Sequence, residues 1–188
     1  MLLKDHKDLK AAIMAIPPKE KDKLLLRLVA KDKVLTEHLH FKLLEDESDL
    51  ELRQESLMEE IDDAVKALRE MKKSTSKDAL AVLRKLNGRV NHHYKVTKDA
   101  DTEVELRLHL LKMLPLGYSE GVFSPMAKFN ERLKTYFLRT VLALYKKYQK
   151  LHEDLQYDLK EEFNVLLNKL KQHQLTKAAA EVGLPEEL

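Results

Sequence analysis

Apolar residues recur along this chain at intervals of three and four positions, the period of a helix with one face turned inward. One stripe holds Leu24, Leu25, Leu28 and Val29, and the next Leu35, Leu39, Leu43 and Leu44. Longer stripes follow at Leu50, Leu57, Ile61, Val65, Leu68 and Met71, then at Leu80, Leu83, Leu86, Val90 and Tyr94. Val and Ile nowhere alternate with polar residues over the length of a strand, so helices alone are predicted.

Polar residues and prolines punctuate these stripes. A first short helix, Asp5 to Ala15, stops at Ile16-Pro17-Pro18, because a residue before proline avoids the helical region. Pro18 suits the first turn of the second helix, where its missing N–H costs nothing. Asp32 is placed to cap the third helix, Ser48 or Asp49 a long fourth, and the Ser74-Thr75-Ser76 run a fifth. Asn87-Gly88 sits inside the fifth stripe without interrupting its period. This predicts a helical glycine at a close helix contact, with a helix end at Gly88 as the alternative. After a linker at Thr97 to Asp101, the apolar residues from Val104 to Leu114 wrap more than one face, which predicts the most buried helix.

Residues 115–125 read as an irregular loop, ended by Ser124 as cap and Pro125 as first helical residue. From Met126 to His173 there is neither Gly nor Pro. Acidic residues around Asp154 to Asp158 predict a break there, with one coiled-coil-like helix as the alternative. Residues 174–188 form a tail holding one short helix before Gly183. The expected fold is therefore all-α, one domain over residues 1–188 with about seven or eight antiparallel helices. They form either an irregular stack of helical hairpins, of the α-superhelix or HEAT-like kind, or an up-and-down bundle. Helix starts near 19, 49, 76, 102 and 125 are unevenly spaced, so no clean repeat is visible.

Composition narrows the chemistry. Of 188 residues, 4 are Gly and 5 are Pro, too few for the many turns of a sandwich or barrel. Cysteine is absent, which excludes disulfides, thiolate zinc sites, iron–sulfur clusters and cysteine nucleophiles. No apolar run approaches the roughly 20 residues of a membrane span, and a cytoplasmic location is expected.

The net charge of +2 conceals segregation. Glu45 to Asp63 carries ten acids and one base, Ala64 to Lys98 ten bases and two acids, and Met126 to Lys150 seven bases and one acid. A basic surface where the fifth and seventh helices meet would carry Arg84, Lys85, Arg89, Lys95, Arg132, Lys134, Arg139, Lys146 and Lys147. Such a surface suits phosphate backbones. The acidic helix, through Glu55, Glu59 and Asp63, suits a protein partner, as do Tyr118 and Phe123 on the long loop. The aromatic stripe Phe129, Tyr136, Phe137, Tyr145 and Tyr148 has helical spacing and reads as core, with Tyr145 and Tyr148, beside Lys146 and Lys147, kept as a candidate surface patch.

Histidine offers the remaining chemistry. Glu37 and His40 form a Glu-x-x-His pair on one helix face, as carboxylate-bridged di-metal bundles use. Glu105 and His109 lie one turn apart, and one of His92 or His93 would complete a set. The second Glu-x-x-His that such a centre needs is missing, so no metal and no cofactor are expected. No phosphate-cradling glycine loop or nucleophile elbow is present, and no catalytic residue is assigned. The expectation is a non-catalytic helical protein–protein interaction or scaffold module, with self-association open. Nucleic-acid binding by the basic face is the alternative, and a metal-dependent helical enzyme the second alternative.

Overall fold

The computed structural model describes residues 3–118, 124 and 126–188. Its helices start where short polar side chains precede an apolar stripe. Among the described residues there are nine α-helices and no strand. They are α1 (Lys7–Ala15), α2 (Pro18–Val29), α3 (Lys33–Leu44), α4 (Glu47–Glu70), α5 (Ser76–Thr97), α6 (Ala100–Met113), α7 (Ala127–Tyr148), α8 (Glu153–Gln172) and α9 (Thr176–Glu181). The count exceeds the expected seven or eight.

Asp32 caps α3, accepting from the Leu35 N–H at 3.1 Å as expected. The cap of α4 lies earlier than Ser48 or Asp49. Asp46 accepts from the Ser48 N–H at 2.9 Å, and Asp49 returns a bond to the Asp46 N–H at 3.0 Å, so Asp49 is the far half of a capping box. Thr75 and Asp78 make the same box at α5. Asp99 caps α6 once Lys98 has turned the chain at φ 61°.

Two local expectations need correction. Gly88 lies within an unbroken α5, but no heavy atom comes within 4 Å of where its Cβ would stand, so no close helix contact requires it. The break after α7 falls at residues 149–152, ahead of the acidic stretch. There Leu151 folds into the core, and the Gln156 side chain donates to its carbonyl at 2.8 Å. The Tyr148 hydroxyl donates to the Gln156 carbonyl at 2.5 Å. The bond to Leu151 satisfies a carbonyl that the interrupted helix leaves open. At the start of α7, Ser124 does not stand in the cap position, which Met126 occupies; Pro125 lies outside the described residues.

The core is organised around α6, which packs against α4, α5, α7 and α8. Leu106, Leu108, Leu110 and Leu111 are fully buried, as an apolar pattern on more than one face predicts. Tyr148 and Phe163 join α7 to α8 with ring centroids 5.0 Å apart. Residues 174–188 are no free tail: Leu175, Ala179 and Leu184 are buried in the same cluster, and the Leu188 N–H donates to Asn164 at 2.9 Å.

The first three helices differ from the rest. None of α1, α2 or α3 contains a buried residue. In α2, Leu25 is 58% exposed and Leu28 54%. α3 packs on α5, and α2 packs on α3. Core and arm therefore respond differently to truncation. Phe163→Ala is expected to cost ~3–5 kcal/mol in urea unfolding, the usual range for a buried aromatic. Leu25→Ala is expected to change it by less than ~0.5 kcal/mol. Equal losses in the two variants would show that α2 is part of the cooperative core.

Candidate functional site

The polar side chains fall into an interior network, a histidine-lined groove and two charged outer faces. The interior network joins α5, α6 and α7. Glu103 and Arg107 lie one turn apart on α6, with 1% and 5% of their side chains exposed. Arg107 donates to Glu103 at 2.5 Å, to Asn91 at 2.9 Å, and to Asn87. Lys147 of α7 donates to the second oxygen of Glu103 and lies 4.6 Å above the Tyr94 ring. Asn87 donates on to the Tyr136 hydroxyl at 2.9 Å. Sequence reasoning missed this network. Its signal was present: Glu103 and Arg107 share a face of α6 that lies opposite the half-exposed Asp101, Glu105 and His109.

A second polar anchor lies at the carboxyl end of α6. Lys169 of α8 donates to the carbonyls of Leu111 and Lys112, each at 2.8 Å, and to that of Leu114. Arg69 of α4 takes the Met113 carbonyl at 2.6 Å. Burial, then the nearby Arg69 charge, push the Lys169 ammonium down to about 8. These cations satisfy the open carbonyls of a helix end and complement its dipole.

An open groove of about 680 Å³ runs between α3, α4 and α5. Glu37 and His92, proposed as metal ligands, meet there at 2.6 Å. His40 also lines it but bonds to Glu45 at 2.8 Å. The other two candidates are held elsewhere: Glu105 accepts from Gln54, and His109 bonds to Asp62 at 2.7 Å. His93 is buried against Thr102 at 3.0 Å, and its burial lowers its pKa. Among the described residues no three such side chains converge where they could hold a metal ion. The groove holds a set of ion pairs. Arg53 donates to Glu45 through Nε at 2.5 Å and Nη2 at 2.6 Å, and lies 5.9 Å from the Phe41 ring centre. His38 bonds to the Val96 carbonyl at 2.6 Å. Side-chain bonds thus supplement sparse apolar burial in tying α3 down.

The outer faces carry the remaining candidates. Glu55, Glu59 and Asp63 form an exposed row on α4, opposite its buried Leu57, Ile61 and Val65. No ion pair among the described residues involves them. Leu52, on the same row, is 61% exposed. α5 and α7 pack together, as the basic-surface reading requires. However, Lys85 and Arg89 reach Glu60 of α4, at 3.8 and 2.9 Å, and Lys147 is taken by Glu103. Arg84 lies over Tyr136 and Arg132 over Phe129. Arg139, Lys146 and Lys95 are exposed, and Lys134 is half-buried. Tyr118 packs half-buried against the core instead of projecting, and its carbonyl accepts from Asn130 at 3.2 Å. Phe123 lies outside the described residues. The aromatic stripe is core: Phe137 and Tyr148 are buried, and Phe129, Tyr136 and Tyr145 pack against the cluster, so Tyr145 and Tyr148 face Phe163 instead of forming a surface patch.

No protein-family model, curated protein or solved structure matches this chain. Among the described residues no helix is long and apolar enough to cross a membrane.

The Arg53–Glu45 bond makes the attachment of α3 sensitive to acid. The Arg53 hydrogen bonds hold the Glu45 carboxyl down at about 2, against an ordinary 4.5. Because the folded value is the lower one, this contribution is complete above about 4.5 and is lost as pH falls toward about 2. A carbon-13 titration of Glu45 is expected to show a midpoint near 2, and Arg53→Met to return it to the ordinary range. A wild-type midpoint in the ordinary range would contradict the pairing.

Proposed function

We propose that this chain is a non-catalytic helical interaction module that binds a protein partner through its N-terminal helices. The observation that carries this reading is the leucine face of α2. Leu24, Leu25 and Leu28 repeat at helical spacing, are 41%, 58% and 54% exposed, and lie on a helix that buries nothing. An amphipathic face of this kind costs solubility unless something covers it, and partner helices recognise such faces by their i, i+4 anchors. The acidic row Glu55, Glu59 and Asp63 supplies a second contact surface with the charge to select a basic partner.

Glu37, His40, His92 and His109 are occupied in ion pairs, which favours a binding role over catalysis at the histidine groove. The test is affinity capture with tagged protein, comparing wild type with Leu25→Glu/Leu28→Glu. The variant is expected to keep its helicity and unfolding midpoint while partner capture falls about tenfold or more, roughly 1.4 kcal/mol of binding. Capture that survives this double substitution would contradict the placement of the interface on α2.

A further inference from the structure

Resting on that reading, we propose that the partner of the α2 face is a second copy of this chain, with α2 of each copy lying along α4 of the other. The argument is the match between two rows that the single chain leaves apart. On α2, Lys19, Lys23 and Arg27 stand at intervals of four, all exposed, beside the exposed Leu24 and Leu28. On α4, Glu55, Glu59 and Asp63 stand at the same intervals, all exposed, following Leu52 one turn earlier.

Eight residues of helix rise about 12 Å, so each row of three charges covers the same length. Laid side by side, the two helices place three cations against three carboxylates. Leu24 and Leu28 then lie beside the exposed Leu52. The wider charge balance agrees: residues 3–31 hold eight Lys and Arg against four Asp and Glu, while Glu45 to Asp63 holds ten acids and one base.

The remainder of the arm is free to serve. α1 and α2 bury no residue, and the strongest packing of α2 is on α3. Because each copy carries one arm and one acidic row, two copies make both contacts at once, and the assembly closes on a two-fold axis. Reciprocal exchange doubles the buried surface without any new segment. The contact depends on exposed charges in water, so it weakens with salt.

Sedimentation of the full chain at tens of micromolar tests this, since it reads mass and needs no unidentified ligand. In low salt a dimer is expected, with its dissociation constant rising at least tenfold on raising the salt about tenfold. Lys19→Glu/Lys23→Glu/Arg27→Glu and Glu55→Lys/Glu59→Lys/Asp63→Lys should each give monomers, because each sets like charges against like. An equimolar mixture of these two variants should dimerise again, since each arm then meets an opposite row. Six exposed positions are changed, so folding is checked by helicity in every sample.

A wild-type monomer at all salt concentrations overturns the proposal. So does a dimer that neither set of reversals disturbs, and so does failure of the mixture to reassociate. A monomer that instead floats with phosphatidylserine vesicles overturns it in favour of a lipid surface. If the chain is monomeric while Leu25→Glu/Leu28→Glu still abolishes capture of another protein, self-association falls and the interaction-module reading stands. If that variant keeps its capture, the placement of the interface on α2 falls by itself.

Discussion

Three helices of this protein meet on one buried carboxylate. Glu103 accepts from Arg107 of its own helix and from Lys147 of α7, while Arg107 reaches the amides of Asn87 and Asn91 on α5. Taking a carboxylate out of water costs several kcal/mol unless its partners are well placed. The network therefore acts less as a source of stability than as a constraint on arrangement. A rotation of α5 or α7 breaks bonds to the buried Glu103–Arg107 pair and leaves part of its hydrogen-bonding capacity unmet. The leucines around it fill space with many near-equivalent packings, and the network selects one of them.

The carboxyl end of α6 imposes the same discipline. Lys169 and Arg69 come from α8 and α4 to close the carbonyls that the helix leaves open. α5 and α7 are tied to α6 at one end, and α4 and α8 at the other. Little of this machinery extends to α1 and α2. Their apolar residues stay at the surface, and α3 is held by side-chain bonds such as Arg53–Glu45 and His38–Val96. Function is proposed at that boundary because it is where apolar surface and unmatched charge remain together.

The helical class and the burial of α6 were legible in the sequence, because apolar period and apolar coverage report local and global packing alike. Leu57, Ile61, Val65 and Leu68 took their expected places. The leucines of α2 show where periodicity runs out. Their spacing is that of a buried stripe, yet Leu25 and Leu28 stay more than half exposed, since period reports that a face exists and not that a neighbour covers it. The cap of α4 was misplaced by two or three residues because Asp46, Ser48 and Asp49 all have capping side chains; only the backbone path decides among them. Glu37 and His92 did come together across 55 positions, but as an ion pair. His40, Glu105 and His109 found nearer partners, which one-dimensional spacing does not reveal.

The account stands on the buried carboxylate organising the core. The direct measurement is urea unfolding, followed by helical circular dichroism, of Glu103→Gln beside wild type. Removing the charge leaves Arg107 buried without its anion, and a loss of ~3–5 kcal/mol is predicted. A change within ~0.5 kcal/mol would contradict it, and would show that the leucines alone hold α5, α6 and α7 in place.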